Sequence, residues 1–387
     1  MILIQVFEKI NKQMEKHIME KLMIIGPLPP PIHGESLAVL NVIESKKVNE
    51  IYEVCSVNTN RINVTAAGQF SISKILKDLN IIMKVIMKAF IMKKEIVYIS
   101  ISQTRLGLIR DLIIIFICSI RSKKIIAHLH GNNLGNVINE MNRLEKILVE
   151  KVFNRITSGI VLGNNLKDNF KSLVQNTDVV ANGIDIDYIK EEQIAHKQRD
   201  RDYISIVYLS NLIETKGYQE LIYAVISLLE KGIKIKLKLA GSVFDQVKFK
   251  EVWKKVQHYN LESNIQYLGT VEGEDKKRLL LDSDIMVLPT NYPIEGQPLS
   301  IIEGMAAGLP IISTSRGSIP DLITNNGILI DSGEKKLIEQ ALIELINNPE
   351  EMKSMAQNSR ENFSRKFTLD KYINNILDII SRPQQKG

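Results

Sequence analysis

A chain of 387 residues is long for one domain and suits two of roughly 150 residues each. Hydrophobic residues make up 44% and charged residues 24%, an ordinary globular composition that excludes a chain disordered throughout. Basic character is confined to the front. Residues 1–200 hold 27 Lys and Arg against 20 Asp and Glu, and the remainder holds 23 against 24. An anionic partner, nucleic acid or membrane surface, would therefore belong to the N-terminal half, with a solvated Lys-rich face as the plain alternative. Cys55 and Cys118 have no CxxC partner and no cluster of histidines beside them, which points to thiols in a reducing compartment.

Residues 1–20 read as an extension. Ile4, Phe7, Ile10, Met14 and Ile18 keep helical spacing, and Met14, Met19 and Met23 are alternative starts. The segment lacks the positive region of a secretory signal. Lys21–Ile25 then reads as a strand running into the Pro-rich loop Gly26–Gly34, and Glu35–Ile43 as a helix. Further strands are expected at Ile96–Ser100, Lys124–Leu129, Ser158–Leu162 and Val179–Ala181, with helices at Arg105–Ile120 and Leu144–Phe153 between them. The polar stretch Lys190–Asp202 reads as a linker. A second series follows, with strands at Ile204–Leu209, Lys234–Ala240, Ile265–Leu268, Ile285–Leu288, Pro310–Ser313 and Ile328–Ile330. Helices near Lys335–Asn347, Glu350–Ser364 and Leu369–Ile380 close the chain. Buried strands alternating with helices predict parallel sheets covered on both faces. The expected architecture is two doubly wound α/β domains, with ligands at the C-terminal ends of the strands, in a cleft between the domains. The longest apolar run, Leu112–Ile120, is far short of the roughly 20 residues needed to span a bilayer.

The most informative segment is Glu295–Pro310. Pro298 suits the start of a helix and Gly308 its end. The helix then begins between Glu295 and Glu303, with its free N–H groups available to a diphosphate. One carboxylate could reach the group beyond the phosphates, and the other a ribose diol. Two Asp-x-Asp patterns, Asp185/Asp187 and Asp282/Asp284, read as caps and turns rather than metal ligands. His130, at the end of its strand, and His33, beside Gly34, read as functional candidates. The segment Ser71–Lys94 sets Lys74, Lys77, Lys84, Lys88, Lys93 and Lys94 among Ile, Leu and Met. It suits either a core-facing helix with a solvated lysine face or peripheral contact with an anionic membrane. Phe90 is its one aromatic residue and it has no base-reading motif, so nucleic acid is not expected.

An E-x7-E pair followed by a small-residue helix and G-x-P resembles the retaining glycosyltransferases of family four, which have the GT-B fold. The other matching segments occur in the expected order: the loop Gly26–Gly34, His128–Gly131, Asn182–Asp185, Lys216-Gly217, Asp284–Pro289 and Gly317–Asp321. Together they span about residues 21–368. The resemblance implies an N-terminal Rossmann-like acceptor domain (21–193), a C-terminal Rossmann-like domain for a nucleotide-diphosphate sugar (194–368), and a last helix and tail (369–387) returning to the first domain. It implies that Lys216 neutralises the diphosphate, with Gly34, Asn211, Gly296, Pro298 and the N–H groups of Leu299 and Ser300 at the donor. Glu303 would accept from the ribose hydroxyls, Glu295 would contact the donor's transferred sugar and help stabilise positive charge at its anomeric carbon, and His33, His130 and Asn182 would lie near sugar or acceptor; Glu295, His130 and Lys216 would be the catalytic residues. No cofactor and no metal are implied. The donor would be a UDP-sugar or GDP-mannose. The acceptor would be a glycan or a lipid-linked glycan in cell-surface polysaccharide synthesis, in the cytoplasm or on the inner face of the plasma membrane. One departure is that Ser210-Asn211 stands where the family commonly carries Gly-Arg. Two rivals remain: a nucleotide-sugar epimerase of the same shape, and a non-catalytic nucleotide-sugar-binding scaffold subunit.

Overall fold

The computed structural model describes residues 19–60, 72–91, 96–195 and 202–383. Most of the expected extension, the middle of the expected linker (196–201), and residues 71 and 92–94 of the Lys-rich segment lie outside it. The chain divides into two compact units. The first comprises Met1–Ile160, Phe170–Asp178 and Asn375–Gly387, and the second Val161–Asn169 and Val179–Asn374.

The first unit follows the order β1 (Glu20–Gly26), α1 (Gly34–Glu44), α2 (Lys46–Ile51), β2 (Tyr52–Asn58), α3 (Ile72–Ile91), β3 (Ile96–Ser100), α4 (Arg105–Arg121), β4 (Lys124–Leu129), α5 (Leu134–Asn139), α6 (Arg143–Phe153), β5 (Ser158–Val161) and β6 (Thr177–Val179). Its sheet runs β2-β1-β3-β4-β5-β6. The β1–β2, β1–β3 and β3–β4 pairs are parallel. Leu22–Ile25 and every residue of β3 and β4 are buried, as helices on both faces of a parallel sheet require. The strand order reverses after β2. With right-handed crossovers, α3, α4 and α6 then fall on the opposite face from α1, and α4 packs against both α3 and α6. The helices start where side chains cap them. Thr104 accepts from Gly107 N at 3.3 Å, and Asn142 and Glu145 form a reciprocal capping box.

The second unit continues with α7 (Glu191–Ala195), β7 (Ile204–Leu209), α8 (Tyr218–Glu230), β8 (Ile235–Ala240), α9 (Gln246–His258), β9 (Ile265–Tyr267), α10 (Gly273–Leu281), β10 (Ile285–Leu288), α11 (Leu299–Ala306), β11 (Ile311–Thr314), α12 (Ile319–Leu322), β12 (Gly327–Ile330), α13 (Lys335–Asn347), α14 (Pro349–Lys366) and α15 (Leu369–Ser381). Its sheet runs β12-β11-β10-β7-β8-β9, with parallel pairs throughout. One apolar core joins β7, β8 and β10 to α8, α11 and α13.

Three sequence readings are corrected. Strand β2 and helix α2 were not foreseen. β2 lies at the edge of its sheet and only Tyr52 and Val57 are buried, so it lacks the continuous apolar run of its neighbours. The sixth strand lies at Thr177–Val179, two residues before the expected Val179–Ala181. The units divide at Asp178 and Val179, not at 193 and 194. The intervening segment belongs to the second unit because Asn182 N donates to Gln297 Oε1 at 2.6 Å, Ile184 bridges Thr368, and Ile189 is in the second core. The end of α15 belongs to the first unit, where the buried Lys124 Nζ donates to the carbonyls of Ile379, Ile380 and Arg382 at 2.5, 3.1 and 2.9 Å. These are the acceptors that a helix C-terminus leaves free.

Candidate functional site

In the second unit the chain places Lys216 at the end of a short 3-10 turn, Glu214–Lys216. Gly217 follows at φ 77°, and a Cβ there would collide with the Pro289 carbonyl. Only glycine lets the turn sit this close to the end of β10. Lys216 Nζ donates to Glu295 Oε2 at 2.6 Å, and Thr290 Oγ1 donates to the same oxygen at 2.9 Å. The ammonium also sits 4.6 Å from the centre of the Tyr292 ring. Glu295 is 6% exposed. The two residues that the sequence singled out 79 positions apart thus form one largely desolvated ion pair.

The loop Glu295–Pro298 is fixed from outside. Gly317 has φ 54°, and a Cβ there would strike the carbonyls of Glu295 and Gly296. Ser318 N and Oγ both donate to Gly296 O, at 2.9 and 3.1 Å. Gln297 donates to Leu162 O while accepting from Asn182 N. Asn182 is therefore a brace of this loop through its backbone, and its buried Oδ1 has no hydrogen-bond partner among the described residues. Pro298 is the cap and not the first residue of α11. The first bond of the turn runs from Ile301 N to Pro298 O, so the N–H groups of Leu299 and Ser300 precede it, as an anion at a helix start would need.

Glu303, one turn into α11, is largely buried and accepts from Lys276 Nζ at 2.5 Å. Burial pushes its carboxyl up, against the pull of Lys276. The Tyr188 ring lies 6.0 Å from Lys276 and 5.5 Å from Lys277, and its buried hydroxyl has no hydrogen-bond partner among the described residues. Asn211 is exposed, and its Oδ1 accepts from Ser242 N at 3.4 Å. Thr290, Tyr292, Lys276 and Tyr188 were not foreseen. Thr290 and Tyr292, two and four residues past β10, carried a positional signal. Lys276 meets Glu303, and Tyr188 meets Lys276 and Lys277, only through folding. Both Asp-x-Asp patterns are occupied structurally. Asp185 accepts from Asp187 N at 2.8 Å, and Asp284 accepts from Ser205 N at 2.8 Å.

In the first unit, His33 caps α1, with its Nδ1 accepting from Ser36 N at 3.3 Å. Gly34 is the first residue of that helix. Glu35 accepts from Ser100 Oγ at 2.5 Å, and burial together with Asp111 pushes its carboxyl up, against Ser100 and Arg110. A cavity of about 270 Å³ is lined by His33, Glu35, Asn60, Ser102, Gln103 and Arg110, among others. His128 is buried within β4 and hydrogen-bonds Tyr98 through Nδ1. The His130 ring stacks on it at 3.9 Å between centroids. Both His130 nitrogens are buried without a hydrogen-bond partner among the described residues. Burial, with the neighbouring His33, brings its pKa down to about 3.

An unfolded histidine titrates near 6.5, so between that pH and about 3 the unfolded chain binds a proton that folded His130 refuses. Stability therefore falls as pH drops through this window, by at most about 1.4 kcal/mol per pH unit for one residue. Urea unfolding followed between about pH 7 and 5 should show a shallower loss for His130→Asn than for the wild type. Parallel slopes would mean that His130 is not held neutral.

Residues 189–362 match the family described as glycosyl transferases group 1. The chain is 25% identical over 221 residues to an uncharacterized glycosyltransferase of Methanocaldococcus jannaschii, covering 56% of each chain. It is 25% identical over 171 residues to the putative colanic acid biosynthesis glycosyltransferase WcaL of Escherichia coli, covering 42% of this chain and 41% of that one. The chain spans about half the length of these curated relatives. Among solved structures it is similar to HepE of Anabaena in complex with UDP, with a TM-score of 0.70 and 18% identity over 93% of this chain and 99% of that one. The fold is therefore that of the GT-B proteins, built from two Rossmann-like parallel-sheet domains.

Proposed function

We propose that this protein is a retaining glycosyltransferase that takes a sugar from a nucleotide-diphosphate donor bound to the second unit. The carrying observation is the grouping of Lys216 and Glu295 just before the start of α11, with Glu303 one turn inside it. Breaking the bond from the anomeric carbon to the diphosphate oxygen leaves the electron pair on the diphosphate, while the acceptor hydroxyl oxygen forms the new bond to that carbon and its proton leaves with the diphosphate. Lys216 and the N–H groups of Leu299 and Ser300 stabilise that charge, and Glu295 stabilises positive charge at the anomeric carbon. No metal is needed for this, because a lysine and a helix start supply the positive field. The match to glycosyl transferases group 1 supports the reaction class. The donor is a UDP-sugar or GDP-mannose. The acceptor, a glycan or lipid-linked glycan of a cell-surface polysaccharide, is held by the first unit near His33 and His130.

Glu303 has a specific task in this reading, which is to accept from the ribose diol after Lys276 gives way. Wild-type protein should bind a nucleoside diphosphate at least about tenfold more tightly than its 2′,3′-dideoxy analogue, since a charged acceptor's bond contributes about 1.5–3 kcal/mol. Glu303→Ala should bind the two alike. A preference for the diol that survives in Glu303→Ala, read by calorimetry, would place the ribose elsewhere.

A further inference from the structure

The three helices on one face of the first sheet present apolar side chains to the outside as well as to the core. In α3, Ile81, Val85 and Ala89 are buried. Leu76, Leu79, Met83, Met87 and Phe90, spaced three and four apart, form a stripe on the opposite side of the same helix and are exposed. Phe90 is 60% exposed. The segment Ser71–Lys94 suits, from its sequence, either a core face with solvated lysines or contact with an anionic membrane; the helix carries two apolar faces, with Lys84 exposed between them. In α4 the outward stripe is Leu106, Ile113, Phe116 and Ile120, and in α6 it is Leu144, Ile147 and Leu148. Among the described residues, 14 of the 23 exposed large apolar side chains lie on these three helices, so they form a concentrated face rather than ordinary scatter.

The charge on these helices selects the occupant. They carry ten Lys and Arg against four Asp and Glu. Two of the acids, Asp78 and Asp111, are ion-paired to the buried Arg110, and Glu145 is paired to Arg105. Cations also stand over the outward rings: Arg121 lies 4.2 Å from the Phe90 centroid and Arg155 lies 5.2 Å from that of Phe116. A second copy of this face would bring like charge against like charge. An apolar layer rimmed by Lys and Arg matches the acyl boundary and headgroups of an anionic bilayer. No helix among the described residues is long and apolar enough to cross a membrane, so the contact is with one surface.

We propose that the outer face of α3, α4 and α6 docks on anionic lipid bilayers. This goes beyond the transfer reaction and stands whether or not the donor assignment holds. The test is co-sedimentation of the full chain with vesicles of phosphatidylcholine alone and with added phosphatidylglycerol, beside sedimentation velocity without lipid. Wild type should pellet with the anionic vesicles at about 0.1 M salt, be released at about 0.5 M, and ignore the neutral ones. The exposed triple variant Leu79→Gln, Met83→Gln, Phe116→Gln, with its fold checked by circular dichroism, should partition at least about tenfold less. Lys84→Glu with Lys151→Glu should lose about fivefold or more per position. Wild type remaining in the supernatant, or pelleting equally with both vesicle types, overturns the proposal. So does a wild-type dimer that the triple variant abolishes without any vesicle binding, which would make the face a self-interface.

Discussion

Replacing Lys216 with alanine should lower kcat/KM for transfer by about 10²–10³-fold, the usual cost of removing one donor from a site where negative charge develops. The effect should be at the upper end because, in the proposed donor site, the uncharged Asn211 adds no second cation beside Lys216. The same substitution should also destabilise the second unit. Glu295 is buried and would keep the Thr290 hydroxyl as a donor, and stripping the partner from a buried ion pair costs about 3–5 kcal/mol. The two losses separate in the double variant Lys216→Ala with Glu295→Gln. Urea unfolding should show most of the stability restored, since no charge is left unpaired, while transfer stays lost. Recovery of transfer along with stability would make both Lys216 and Glu295 structural residues only.

Replacing Glu295 with glutamine should give the opposite split. The carboxylate touches the donor sugar, and its main effect is assigned to the anomeric carbon in the transition state. Its loss should therefore lower kcat by about 10²–10³-fold. Donor affinity should hold or improve. Lys216 is then released from its 2.6 Å bond to Glu295, while the Tyr292 ring at 4.6 Å keeps the ammonium in place. Steady-state kinetics and calorimetry on the same preparation check both halves. A rise in donor Kd with kcat unchanged would assign Glu295 to ground-state binding.

The parts of this site that were legible in the sequence are those whose chemistry is local. A helix start between two glutamates shows itself through Pro298 and Gly308, and Lys216 through the glycine that follows it. The missing parts are pairings across the fold. Lys276 reaches Glu303 from 27 residues away, and it lies on a helix whose lysines look solvated in the sequence. The bracing of Gly296 by Ser318 and the conflict a Cβ at Gly317 would meet depend on loop shapes that residue types do not encode. The parallel strands were readable because both their faces are buried, whereas β2 was not, because most of its residues are only partly buried. Periodicity identified α3 as a helix with lysines among apolar residues, but it could not say which apolar stripe covers the sheet and which is left outside.

The central claim is a nucleotide-diphosphate sugar held by the second unit. Saturation-transfer NMR of the wild-type protein against a panel of nucleotide sugars, with EDTA present, tests it most directly. The account predicts transfer to the ribose and sugar protons of one donor without any metal. No transfer to any donor on the panel, or transfer that appears only when a divalent cation is restored, would contradict it.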